Sequence, residues 1–183
     1  MAAVEEQARA EPAQVWDWLA QVPDPEIPAI SLVDLGIVRN VRWVAGAGGD
    51  ELEVTITPTY SGCPATEVIA ASIREMLAAH GLGSVRLRQQ LSPAWTTDWI
   101  SAAGRGKLAA YGIAPPHPCS AGAAAEQAVD ASRILRRAAP RQVRCPRCDS
   151  AQTQLVSEFG STPCKALYRC QQCLEPFDYF KPH

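Results

Sequence analysis

Two C-x2-C pairs, Cys145-Pro146-Arg147-Cys148 and Cys170-Gln171-Gln172-Cys173, stand 21 residues apart and constrain this chain more than any other feature. The two-residue spacer lets both thiolates of a pair turn toward one ion, and two such knuckles at the ends of a short hairpin make a tetrahedral four-sulfur site. The interval is one residue beyond the usual upper spacing of about 20, a difference that a hairpin loop absorbs. The spacing therefore predicts a zinc ribbon with Cys145, Cys148, Cys170 and Cys173 as structural ligands. Iron in a rubredoxin-like site satisfies the same donor set, because softness and geometry alone do not separate the two ions. Two disulfides are the remaining alternative and would call for an oxidising compartment.

A chain of 183 residues exceeds one small core, so a domain of about 100 residues plus a metal-stapled module is the natural division. The module is too small to fold without its ion. Seventeen Lys and Arg against 19 Asp and Glu leave a net charge of -2, which gives no global electrostatic footprint for nucleic acid. A local cluster, Arg141, Arg144 and Arg147, keeps a nucleic-acid-binding ribbon as a minor alternative. The amino end, Met1-Ala2-Ala3-Val4-Glu5-Glu6, shows no basic region followed by an apolar run, and no stretch of about 18 apolar residues occurs. The expectation is a cytoplasmic protein that does not enter a membrane, in which reduced thiols serve as ligands or nucleophiles.

Residues 1–11 read as a tail, 12–118 as an α+β domain, 119–140 as an alanine-rich linker and 141–183 as the ribbon. Val15, Trp16 and Leu19 at helical spacing predict a helix over 12–20, which Pro23 and Pro25 stop. Alternation over 37–44 and 52–57, with Gly46-Ala47-Gly48-Gly49-Asp50 between, predicts a hairpin. Ile69, Ile73, Met76 and Leu77 mark one face of a helix over 65–80 that Gly81 ends, and Val85, Leu87 and Leu91 suggest a third strand. The resulting order is α, β, β, α, β, with helices over one face of a sheet. Another helix or lid is expected from Trp95 to Tyr111, starting near Thr97 or Asp98. In the ribbon, 152–159 and 165–170 read as two short strands around Gly160-Ser161-Thr162-Pro163.

Cys63 lies between strand and helix in Thr57-Pro58-Thr59-Tyr60-Ser61-Gly62-Cys63-Pro64. Pro64 suits the first helical position, which puts Cys63 at the helix cap, where unpaired backbone N–H groups and the positive end of the dipole favour a thiolate. Gly62 leaves the backbone approachable. An inert, packed thiol is the competing reading. No histidine stands near Cys63 in sequence, which counts against a Cys-His hydrolase. Asp24, Glu26 and Asp34 occupy turns that fold back toward Cys63 in one reading, and in the other cap those turns through side-chain to backbone hydrogen bonds.

The segments Asp24-Pro25-Glu26-Ile27-Pro28, Asp34-Leu35-Gly36-Ile37-Val38, Thr57-Pro58 and Gly62-Cys63-Pro64 resemble the SufT-like domain of iron-sulfur assembly factors, over about residues 12 to 93. Further matches extend the likeness along nearly the whole chain: Pro93-Ala94-Trp95-Thr96-Thr97-Asp98-Trp99, Tyr111-Gly112-Ile113-Ala114-Pro115-Pro116, and the ribbon with Cys164-Lys165-Ala166-Leu167-Tyr168-Arg169-Cys170 and Glu175-Pro176-Phe177-Asp178-Tyr179-Phe180. Together they resemble the PaaD (PaaJ) family of accessory proteins in the phenylacetyl-CoA epoxidase system of aerobic phenylacetate catabolism. The resemblance implies a non-catalytic role beside an enzyme. Its partners would be a di-iron oxygenase and a flavin and 2Fe-2S reductase, helped to load iron or a cluster. It makes Cys63 the transient iron or cluster ligand and matches Asp24, Glu26 and Asp34 to the family's acidic turn positions. A redox or structural subunit of the oxygenase is the alternative, and assembly as a homodimer stays open.

One further thiol needs a place. If 164–170 is extended, six steps of about 3.3 Å put Cys164 roughly 20 Å from Cys170, too far to share the ion. Cys164 is then a structural thiol at the hairpin tip or a second transfer ligand.

Overall fold

The computed structural model describes residues 9–46, 49–60, 62–117 and 142–182. By its contacts the chain divides into two compact units, Met1–Trp95 and Thr96–His183.

The first unit follows the expected α+β order: α1 (Pro12–Leu19), β1 (Val38–Gly46), β2 (Gly49–Ile56), α2 (Thr66–Ala79) and β3 (Val85–Gln89). β1 and β2 pair antiparallel with Trp43 opposite Leu52, and α2 carries the chain across to β3, which runs parallel to β2 with Val54 opposite Leu87. As the middle strand of three, β2 is buried along Leu52–Ile56 on both faces. This is why Glu53 is buried too, and the Arg42 guanidinium opposite it donates two hydrogen bonds to one carboxylate oxygen, at 3.0 and 2.7 Å. Ile69, Ile73 and Leu77 form the buried stripe of α2. Gly81, at φ 84°, ends that helix in a Schellman motif, in which the Leu82 N–H reaches the Leu77 carbonyl at 2.9 Å and Gly81 reaches Ala78. β3 stops at Gln89, and Leu91, expected inside it, is exposed instead.

The second unit corrects two boundaries. The helix expected to begin near Thr97 or Asp98 is two pieces, a single 3-10 turn over Thr97–Trp99 and then α3 (Ala102–Tyr111). Thr96 caps the turn by accepting from the Asp98 N–H, whereas Ser101 caps α3, its Oγ accepting from Gly104 N at 2.8 Å. The expected division at residue 118 also moves. After α3, a two-residue strand β4 (Ile113–Ala114) pairs in parallel with β7 (Pro176–Phe180), and this brings residues 96–117 into the ribbon's unit. The expected linker, 119–140, lies outside the described residues.

The ribbon itself is more than a hairpin. β5 (Thr153–Ser157) and β6 (Lys165–Cys170) form the anticipated pair, and β7 and β4 extend it to four strands in the order β4-β7-β6-β5. Its buried cluster is small: Ala114, Val143, Cys145, Cys170, Phe177 and Tyr179. Tyr168 lies against it, stacked on Phe177 at 5.9 Å and edge-on to Tyr179 at 5.6 Å. Burial there pushes the Tyr168 hydroxyl pKa above its ordinary value, with the nearby Glu158 charge adding to the effect.

Because the Ser101 hydroxyl caps the start of α3, Ser101→Ala should destabilise the second unit by about 1 kcal/mol. A denaturation midpoint unchanged from wild type would show that α3 does not depend on this cap.

Candidate metal-binding sites

Both knuckles are built by the same backbone device. The Cys145 N–H bonds the Ser150 carbonyl and the Cys170 N–H bonds the Glu175 carbonyl, each at 3.0 Å and each spanning five residues. To close that turn the fourth residue after each leading cysteine must take left-handed backbone angles: Asp149 has φ 57° and Leu174 φ 66°. No other described non-glycine residue has positive φ. The repeat is structural and escapes the sequence, since an aspartate tolerates this region whereas a leucine gives no hint of it. Spacing in the sequence accordingly reveals the cysteines and misses the two residues that aim them.

The four sulfurs converge as the spacing predicts, all within 4.8 Å of one another. Cys145 Sγ lies 3.7 Å from Cys173 Sγ, and Cys148 Sγ 3.6 Å from Cys170 Sγ. A disulfide needs about 2.05 Å, so these are not bridges. A tetrahedral ion with metal–sulfur bonds of about 2.3 Å has sulfur–sulfur edges of about 3.8 Å, and the donor set fits one. Cys145 and Cys170 are buried, Cys173 is half-buried and Cys148 exposed. Left to protons alone, the group divides them unevenly. The Cys173 backbone N–H holds the Cys170 thiol down at about 6. Cys148 is pushed up to about 12, although the Ser150 N–H pulls it down, by desolvation and by the three sulfurs beside it. A bound cation replaces those protons, so acid must compete with the metal. Of the basic cluster, Arg144 is paired with Asp149 at 3.0 Å, and Arg141 lies outside the described residues.

Cys164 is not part of this group. It is 3 % exposed, with its sulfur 3.0 Å from the Thr162 hydroxyl.

Around Cys63 the structure differs from the expectation in one respect that matters. α2 begins at Thr66 with Ala65 as its cap, so Pro64 is outside the helix and Cys63 stands two residues ahead of the cap. The cause is Thr66, whose backbone N–H and hydroxyl both bond the Cys63 carbonyl, at 3.2 and 2.8 Å, closing a turn before the helix starts. A dipole effect that fades within the first turn is weakened by that displacement. Gly62 has φ 83°, and a side chain added there would meet open space. The half-buried thiol therefore follows a bend that only glycine adopts without strain. Thr57, at the start of the loop, buries a hydroxyl that has no hydrogen-bond partner among the described residues.

Two of the three acidic side chains bond within their own turns. Asp24 is buried and its Oδ1 accepts from the N–H groups of Glu26 and Ile27, at 3.0 and 2.9 Å. Asp34 and Ser31 bond reciprocally, hydroxyl to carboxylate at 3.0 Å and Asp34 N–H to hydroxyl at 3.1 Å. Glu26 is half-buried. Among the described residues only the four ribbon cysteines bring three or more His, Cys, Asp or Glu ligand atoms together for an ion. Cys63, Asp24, Glu26 and Asp34 form no such group.

Cys148→Ser should abolish tight metal binding and unfold the ribbon while the first unit keeps its own unfolding transition, because the buried cluster around the sulfurs belongs to the second unit alone. Simultaneous loss of both units in a proteolysis profile would contradict this. Leu174 is 60 % exposed, so Leu174→Asn gives up little packing and should stabilise the metal-loaded ribbon by about 0.5–1 kcal/mol through relief of the left-handed backbone. A lower thermal midpoint would show that the leucine is held for another reason.

Comparison with known proteins agrees with this two-part geometry. A family described as iron-sulfur cluster assembly protein matches residues 12–86, and one described as the PaaD zinc beta ribbon domain matches residues 130–181. Solved structures similar to the chain include a domain of unknown function from Bacillus anthracis (23 % identity, 53 % of this chain and 90 % of that one, TM-score 0.47). Another is a Mycobacterium tuberculosis protein associated with Fe-S complex assembly and repair (34 % identity, 60 % and 94 % covered, TM-score 0.35). A putative 1,2-phenylacetyl-CoA epoxidase subunit of Escherichia coli K12 is 49 % identical over 170 residues, 92 % of this chain and 91 % of the relative. On that likeness, which runs through both units, and on the match to the PaaD zinc ribbon, the chain belongs to the PaaD family.

Proposed function

We propose that this chain is a non-catalytic maturation protein that helps load iron or an iron-sulfur cluster into the oxygenase or the flavin and 2Fe-2S reductase of a phenylacetyl-CoA epoxidase. The observation that carries this reading is the contrast between its two kinds of thiol. In the unit that matches an iron-sulfur assembly family, Cys63 is a single, half-buried sulfur on a loop whose Gly62 side is open. A lone cysteine can hold an ion or a cluster edge and surrender it to a better ligand set by exchange, since it leaves most of the coordination shell to others. In the other unit, four sulfurs complete a shell and leave no position for a substrate.

The four-sulfur site is then a structural zinc site, in keeping with the zinc beta ribbon family that covers it. Its work is to hold the ribbon's shape for a client, and iron or a cluster is cargo held transiently by Cys63. Asp24 and Asp34 support that task by keeping the turns of the same unit in place. Cys164, being buried, stays with the ribbon's packing. Such thiol chemistry belongs in the reducing cytoplasm.

Co-expression of the oxygenase and reductase with wild-type chain, with Cys63→Ala, with Cys164→Ala and with no chain tests this directly, the iron, sulfide and flavin of the purified components being measured. Cys63→Ala should leave one component several-fold short of iron with flavin unchanged, and Cys164→Ala should resemble wild type. Components already loaded should turn over without the chain. A stoichiometric requirement for it in every turnover would replace maturation with a redox or structural role.

A further inference from the structure

The first unit contains a cavity of about 690 Å³, in the size range of ligand sites, that none of the cysteines lines. Its walls include Arg9, Trp18 of α1, Trp43 of β1, Asp50 of β2 and His80. The chain itself shows what this site recognises. The Arg9 guanidinium carbon stands 5.9 Å from the centroid of the Trp43 ring, and the same guanidinium is ion-paired with the Asp50 carboxylate. On its edge, Trp43 donates its indole N–H to the Ala10 carbonyl at 3.1 Å. One tryptophan therefore reads two consecutive features of an Arg-Ala dipeptide, the cation on its face and the next carbonyl at its rim. A second aromatic wall adjoins, where Trp18 and His80 stack with centroids 4.1 Å apart and planes 3° from parallel.

Charge decides the class of ligand. Arg9 is matched by Asp50, so the site offers an anion no uncompensated cation from these two residues. Once Arg9 leaves, a carboxylate beside the Trp43 face is an environment for a cation. A planar guanidinium suits it better than an ammonium, because it lies flat on a ring while forking onto a carboxylate. Arg9 is also 61 % exposed, and so open an ion pair is weak and screened. A second arginine can replace it.

We propose that the Trp43 and Asp50 wall of this cavity is a recognition site for an arginine-bearing extended segment of a partner protein, and that the chain's own Arg9-Ala10 covers that wall until such a segment arrives. The incoming arginine takes the place of Arg9 between Trp43 and Asp50. Its following carbonyl accepts from the Trp43 indole, and flanking residues enter the space beside Trp18 and His80.

The test uses the full chain with nitrogen-15 labelled indoles, titrated with acetyl-Ala-Arg-Ala-amide, and with the same peptide carrying citrulline, which keeps the shape and removes the charge. The Arg peptide should shift the Trp43 indole resonance saturably. It should bind Arg9→Ala roughly two- to sixfold more tightly than wild type, as removal of a weak internal competitor requires. The citrulline peptide should bind Arg9→Ala roughly two- to sixfold more weakly than the Arg peptide, and Arg9→Ala/Asp50→Asn should lose that preference for arginine. Absence of a saturable shift in Arg9→Ala, equal binding of the citrulline peptide, or equal affinity of wild type and Arg9→Ala would each overturn the proposal.

Discussion

Four sulfurs must occupy one small volume in which four thiolates would repel one another, and the second unit depends on how that conflict is resolved. Protons resolve it poorly, since Cys170 is driven down to about 6 while Cys148 is driven up to about 12. A bound cation would offset part of that charge and tie both knuckles at one point. The apolar cluster around the site, in which Cys145 and Cys170 are themselves members, is too small to fold the ribbon without that contribution. The left-handed Asp149 and Leu174 are consequences of the same constraint. They turn the chain so that sulfurs from two knuckles meet at distances of 3.6 and 3.7 Å.

The first unit rests on ordinary packing. Its middle strand β2 is buried on both faces, and the Arg42 pair lets Glu53 stay there. This rigidity bears on Cys63, because the loop that carries it runs from the end of β2 to α2. Gly62 supplies the bend and the Thr66 contacts to the Cys63 carbonyl fix the turn. A sulfur presented in this way is positioned by a loop between two regular elements and, among the described residues, is not enclosed in a ligand group, the arrangement that the proposed transfer of cargo requires.

Much of this was legible in the sequence, and the misses have physical causes. The convergence of the four cysteines could be read because metal coordination imposes a spacing, and the α, β, β, α, β order because the hydrophobic pattern separates helices from strands. Local capping was harder. Pro64 signalled a first helical residue, yet the Thr66 hydroxyl claims the Cys63 carbonyl and delays the helix, a competition between a proline preference and a side-chain hydrogen bond. Thr97 and Asp98 promised a cap that Ser101 provides for α3. β4 was invisible, since two residues carry no period and the partner strand β7 lies far along the chain, with Ile113 opposite Asp178. The acidic turn residues illustrate the limit of motif reading. Asp24 and Asp34 stand out in the sequence, but Asp24 accepts from backbone N–H groups of its own turn and Asp34 from the Ser31 hydroxyl, and among the described residues they do not join Cys63 in a group of three or more ligand atoms.

On this account one chain separates a closed metal site that holds structure from a single thiol that carries cargo. The most direct test of that separation is the metal content of the chain itself, wild type and Cys63→Ala, purified without oxygen after incubation with iron and sulfide. The expected result is about one zinc per chain in both proteins and iron retained only where Cys63 is present. Iron held equally by both proteins, with rubredoxin-like absorption and no zinc, would contradict it.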